Sequence, residues 1–185
     1  MKQQLKMVII NREAFEVMRG HAYGGIPNEV GGLLVGKPCL NLEGDSLVWV
    51  WHAVRGICKS GRAEVTIDSR TYEQAWVVMD RHEQRGAILV VVGYYHTNPN
   101  FGVFMSRPDK EEMVAKWRRH YNIAIVLDPM REVWGTFGYS VSGNEGKIIR
   151  IPCSLFSGRQ KSYQLGKVSY DFGIKSEGIN WNLGR

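Results

Sequence analysis

The chain has 185 residues, a length that suits one domain with a substantial core. An apolar fraction of 44% and a charged fraction of 23% are ordinary globular values and argue against a disordered or fibrous chain. The net charge of +6 permits acidic partners, but the basic residues are scattered; the one cluster, Lys116, Arg118 and Arg119, reads as a solvated helix face, so nucleic acid is not an expected ligand.

Met7 to Ile10 predicts a short strand, and Asn11 caps a helix from Arg12 to about His21 with Phe15, Met18 and Ala22 at helical spacing. Gly24, Gly25 and Pro27 end that helix. Val30 to Val35, Leu47 to Val54 and Ala63 to Ile67 follow as strands. Ser69 is the expected cap of a longer helix, Arg70 to about Gln84, with Tyr72, Ala75, Trp76 and Met79 on its inner face; Gly86 stops it. Ala87 to Tyr95 is a near-continuous apolar run of the kind buried on both faces of a sheet. After a loop, Ser106 opens a helix to about Tyr121 with Met113, Val114 and Trp117 inward. Asn122 to Leu127, Val133 to Val141 and Lys147 to Ile151 complete the strands. These elements make residues 1–152 the domain. Residues 153–185, rich in Gly, Ser and Lys with isolated aromatics, read as a C-terminal arm or tail.

Met1 to Ile10 does not have the order of a secretory signal, and no apolar run reaches bilayer length, so a soluble, cytoplasmic protein without a membrane partner is expected. Three cysteines, Cys39, Cys58 and Cys153, form no Cys-x-x-Cys pair. That argues against a disulfide framework and a cysteine-based zinc knuckle.

The most informative stretch lies between the apolar strand and the helix after it. His96, position 98, Ser106 and Asp109 stand at the spacing His-x-His-x7-Ser-x-x-Asp, except that position 98 is Asn. Catalytic zinc takes three protein ligands and leaves one position open for water. A loop leaving a buried strand can aim two such residues at one metal, and Asp109, on the first turn of the helix, can close the triangle. A carboxylate nearby, Glu29 in Asn-Glu-Val-Gly-Gly-Leu-Leu-Val-Gly, could take the proton of a metal-bound water and pass it to the leaving amine. The Ser106 hydroxyl could donate to the oxyanion of a tetrahedral intermediate. Singly, each residue has a structural explanation: Ser106, Pro108 and Asp109 make a good helix start, and Asn98-Pro99-Asn100 a good turn. Their joint spacing points to chemistry.

This pattern resembles the JAMM (JAB/MPN) family of zinc-dependent isopeptidases. The resemblance spans roughly Met7 to Ile151. It includes Glu29-Val30-Gly31-Gly32-Leu33-Leu34-Val35-Gly36, Gly93-Tyr94-Tyr95-His96-Thr97, Pro99-Asn100-Phe101-Gly102 and the Val-Leu-Asp-Pro that ends at Pro129. It implies an α/β, cytidine-deaminase-like MPN fold, a curved mixed sheet flanked by helices. The implied activity is cleavage after the C-terminal tail of ubiquitin or a ubiquitin-like protein. The implied roles are Glu29 as general acid/base, Ser106 as oxyanion donor, and His96, position 98 and Asp109 as ligands of one Zn2+. A ubiquitin-like protein or its conjugates, with the activating and conjugating enzymes of its pathway, are the implied partners, and the compact chain suggests a prokaryotic member.

Asn98 breaks the pattern. An amide oxygen is a poor zinc donor beside an imidazole nitrogen. The expectation is a weakened or empty metal site and an impaired enzyme that still folds. The alternative is a non-catalytic scaffold that binds a ubiquitin-like protein or a partner MPN subunit.

Overall fold

A computed structural model describes residues 5–41, 44–56, 67–140 and 147–156. The elements run β1 (Leu5–Asn11), α1 (Arg12–Gly25), β2 (Gly31–Leu40), β3 (Ser46–Arg55), α2 (Ser69–Glu83), β4 (Val90–Thr97), α3 (Arg107–Lys116), β5 (Ile123–Asp128), β6 (Val133–Tyr139), β7 (Ile148–Ile151) and β8 (Cys153–Phe156). The eight strands form one curved sheet in the order β7-β6-β5-β4-β2-β3-β1-β8. It is mixed: β1–β3, β1–β8 and β4–β5 are parallel, the other pairs antiparallel. This is the curved mixed α/β sheet flanked by helices that the sequence implies.

Side chains that alternate across the strands build a core on each face. On one face Phe15 and Met18 of α1 pack with Val50, Val92, Tyr95 and Ile125. On the other, Ala75 of α2 and Met113 of α3 pack with Leu33, Val35, Tyr94 and Val126. The central strand β4 thus has a core on both sides, which explains its unbroken apolar run.

Several expectations shift. The cap of α2 is Asp68, not Ser69: its Oδ1 accepts from the Thr71 amide at 2.9 Å and from the Thr71 hydroxyl at 2.8 Å. The inner face of α2 runs through Thr71 and Ala75, small residues that let the helix sit close to the sheet; Trp76, expected inside, is 69% exposed, and Tyr72 is exposed as well. The third helix ends at Lys116, short of Tyr121. Trp117 leaves helical geometry to bury its ring, and Asn122 caps the following turn by accepting from the Arg119 amide. Val114, expected inside, is exposed. Residues 153–156, the start of the C-terminal arm, pair with β1 as an edge strand. Cys58, the rest of the arm and most of the strand expected over Ala63 to Ile67 lie outside the described residues. Among the described residues Cys39 and Cys153 are free thiols, and no helix is long and apolar enough to cross a membrane.

Glycines let the strands that carry the site approach closely. A Cβ on Gly93 would stand 1.9 Å from the Ile123 carbonyl oxygen, and one on Gly32 would stand 2.0 Å from that of Val54. Gly24, by contrast, has nothing within 4 Å of where a Cβ would sit. Gly93→Ala should therefore cost about 3 kcal/mol or more by overpacking and lower the melting temperature by roughly 6–12 °C, whereas Gly24→Ala should leave it within a degree or two; thermal melts of the two variants check this contrast.

Candidate functional site

The site sits where β4 ends. Gly31 of β2 pairs with His96, and the next residue of β4 locks that register. The Val30 amide donates to the Thr97 hydroxyl at 2.8 Å, while the Thr97 amide donates to the Val30 carbonyl at 2.8 Å. Glu29, one residue before this clamp, is thereby held beside the His96 strand. On the other side the Asn98 amide donates to the Leu127 carbonyl of β5 at 2.8 Å. Strand pairing thus fixes the backbone at both 96 and 98.

His96 is 5% exposed, and its ring is clamped in a stack. It lies nearly parallel to Tyr94 (centroids 6.1 Å, 18°), which stacks in turn on Trp117 (5.5 Å, 24°). The Tyr94 hydroxyl donates to the Asp109 carbonyl at 3.3 Å, and the Tyr139 hydroxyl to the Met113 carbonyl at 2.8 Å, so two phenols hang α3 against the sheet. The His96 Nε2 is buried with no hydrogen-bond partner and stands 3.7 Å from Asp109 Oδ2. Burial lowers the pKa of His96 against an opposing pull from Asp109, which favours the neutral ring a metal ligand needs.

Ser106 and Asp109 form a reciprocal capping box at the start of α3, with proline in its first turn. The Ser106 amide and hydroxyl donate to Asp109 Oδ2 at 2.7 and 2.6 Å, and the Asp109 amide donates to the Ser106 hydroxyl at 3.2 Å. The structural explanation of this segment and the chemical one therefore coincide: the cap that starts the helix also fixes the carboxylate facing His96.

Glu29, His96, Asn98, Ser106 and Asp109 all line one cleft of about 490 Å³, which Phe101 and Phe104 also line. Its charged lining is mostly acidic: Glu29, Asp109, Glu111 and Glu112 outnumber Lys116. Burial raises the pKa of Glu29, and the nearby Asp109 charge raises it further. Such a cleft favours a cation.

The residues meet only part of the demand of a catalytic zinc. The buried, unbonded His96 Nε2 and the Asp109 carboxylate are two suitable donors. The third position holds Asn98, only 6% exposed, whose Nδ2 donates to the carbonyls of Phe104 at 3.3 Å and Gly102 at 3.5 Å. Among the described residues no group of three His, Cys, Asp or Glu is placed to hold a metal ion. The donor set of this chain does not fit a catalytic zinc.

One positioning residue escapes the motif. Asp128 is completely buried at the end of β5. Its Oδ1 accepts from the amides of Asn100 (2.9 Å), Met130 (3.0 Å) and Arg131 (3.2 Å), its Oδ2 from the amide of Gly102 (2.7 Å), and the Arg131 guanidinium stands 3.6 Å away. The carboxylate ties the loop that carries Asn98 to the turn after β5. A sequence signal for it exists, an aspartate before proline at the end of an apolar strand, but that pattern also describes an ordinary turn.

No protein-family model matches the chain. It is similar to COP9 signalosome complex subunit 5a of Arabidopsis thaliana (30% identical over 129 residues, 69% of this chain and 35% of the relative). It is equally similar to ubiquitin carboxyl-terminal hydrolase RPN11 of Saccharomyces cerevisiae (30% over 129 residues, 69% of this chain and 40% of the relative). The chain thus spans well under half the length of these curated relatives. Among solved structures, protein DSY2949 from Desulfitobacterium hafniense superposes with a TM-score of 0.56 at 20% identity, covering 82% of this chain and 94% of that one, a likeness of fold. Because both curated relatives are JAMM/MPN proteins, and the fold gathers the five motif positions of that family into one cleft, this chain belongs to the JAMM/MPN family.

Proposed function

We propose that the cleft is that of a zinc peptidase that cuts after the C-terminal tail of a ubiquitin-like protein, and that Asn98 disables cleavage in this chain while leaving the fold intact. The observation that carries this reading is the convergence of Glu29, His96, Ser106 and Asp109 on one acidic cleft, with the His96 Nε2 buried and unbonded inside it. The name of the yeast relative, a ubiquitin carboxyl-terminal hydrolase, supplies the substrate class.

In this reading His96 and Asp109 are the two firm metal donors. The chemistry zinc supplies at such sites is an acidified water and a polarised carbonyl. Glu29, whose pKa burial and the nearby Asp109 charge raise, would be the group that accepts and returns a proton. Ser106 now donates its hydroxyl to Asp109; to serve an oxyanion it must turn that donor toward the cleft.

The surroundings of Asn98 support a loss at one position rather than an eroded site. A ligating imidazole donates its other N–H to a carbonyl or carboxylate. The Phe104 and Gly102 carbonyls that now accept from the Asn98 amide are such acceptors, already in place. The same satisfied amide also suits a second reading, a non-catalytic scaffold for a ubiquitin-like protein or a partner MPN subunit, in which Asn98 is a settled part of the loop.

Asn98→His separates the two. The variant should bind one zinc at least 10-fold tighter than the wild type, by competition with a chromophoric chelator, and should release a ubiquitin-like protein from a C-terminal fusion. Full zinc occupancy with no cleavage across a panel of such fusions would contradict the peptidase reading and favour the scaffold. In the Asn98→His background, Glu29→Gln should keep the zinc and lose about 10²–10⁴-fold in cleavage rate. Asp128→Asn in the same background should weaken zinc binding by about 10–100-fold while the far-UV circular dichroism stays unchanged; an unaltered affinity would reduce Asp128 to a loop staple without influence on the site.

A further inference from the structure

A second pair of imidazoles lies outside the cleft. His52 of β3 and His82 in the last turn of α2 meet with their Nε2 atoms 2.7 Å apart, rings tilted at 50° with centroids separated by 4.8 Å. The cleft chemistry uses neither residue, and neither lines the cleft.

The backbone is arranged to make this contact. Val35 of β2 pairs with His52, and Gly36 pairs with Val50, so Trp51 is an extra residue on β3, a bulge. Bulges re-aim side chains and recur beside functional sites. Without it, Trp51 and His52 would point to opposite faces; with it, both contact His82, since the Trp51 ring meets the His82 ring edge-on at 5.6 Å. His82 is thereby held between Trp51 and His52.

We propose that His52 and His82 form a second cation site, selective for a first-row transition-metal dication that prefers imidazole, with its remaining positions open to water. The same nitrogen of each ring faces the other, so a single shared proton now stands where a cation would bridge two lone pairs. Zinc–imidazole bonds of about 2.0–2.1 Å in tetrahedral geometry place the two nitrogens about 3.3 Å apart. The rings must therefore part by about 0.6 Å, a movement within the reach of the two side chains. Both rings are half-buried, and burial is the main reason that each has a lowered pKa, so binding at neutral pH has few protons to displace. Of the neighbouring charges, Glu13 of α1 favours a cation at His52, and Arg85 beyond α2 opposes one at His82. Among the described residues no third ligand completes the set, which predicts a weaker, more open site than a structural zinc.

The test uses the 185-residue chain carrying His96→Ala and Asp109→Ala, which removes both firm donors of the cleft and makes the outcome independent of the peptidase reading. Isothermal titration with Cu2+, Ni2+, Zn2+ and Mg2+ should give one equivalent of metal, tightest for Cu2+ and undetectable for Mg2+. Adding His82→Gln should weaken Cu2+ and Zn2+ binding at least 10-fold, as should His52→Gln, with melting temperatures measured in chelator to show that the fold persists. The copper spectrum should show two nitrogen ligands, falling to one in either variant. Absence of binding, or stoichiometric binding that both glutamine variants leave unchanged, would overturn the proposal. If a glutamine variant fails to fold, histidine NMR on the parent chain decides: zinc must shift the ring signals of His52 and His82, and unshifted signals at saturation refute the site.

Discussion

The geometry of the cleft depends on how the end of β4 is held. Backbone pairing secures Thr97 to Val30 on one side and Asn98 to Leu127 on the other. Immediately beyond, the buried Asp128 carboxylate gathers four backbone amides from two loops. Hydrogen bonds to a charged acceptor are worth about 1.5–3 kcal/mol each, and a buried carboxylate is tolerated only when so satisfied. The side chains that could touch a cation therefore project from a backbone that strand pairing and Asp128 fix before any ligand arrives.

A second layer fixes the side chains themselves. The Tyr94 ring lies between His96 and Trp117, so the plane of the histidine is set by packing. The Tyr94 hydroxyl then reaches the backbone of Asp109, linking the helix that carries one donor to the strand that carries the other. Preorganisation of this kind is what a metal or catalytic site needs from its supporting shell. The proposed loss at position 98 leaves these contacts in place.

Much of this was legible in the sequence because the signals were local and redundant. The spacing from His96 to Asp109 falls on a strand end, a loop and a helix start, and each of those has its own periodicity or cap. The apolar run before His96 marked a strand with cores on both faces. What failed was tertiary. Trp76 and Val114 fit the helical period of an inner face, but α2 packs through Thr71 and Ala75, and Val114 lies on the open side of α3. The third helix stopped early because burying Trp117 against Tyr94 outweighed continued helix propensity. The His52–His82 contact was invisible because the two residues lie 30 apart and no motif announces them; the Asp-Pro at Asp128 is an ordinary turn signal that does not reveal the reach of its carboxylate to Asn100 and Gly102, 28 and 26 residues back.

The central claim is that the fold presents a cation site between His96 and Asp109 that is short of one donor. The most direct measurement is zinc-edge anomalous diffraction from crystals of the Asn98→His variant grown with zinc. The account predicts a peak about 2.0–2.2 Å from the His96 Nε2 and from an Asp109 carboxylate oxygen, with the introduced imidazole as third ligand. Saturated crystals with His96 and Asp109 in place but no peak between them would contradict it.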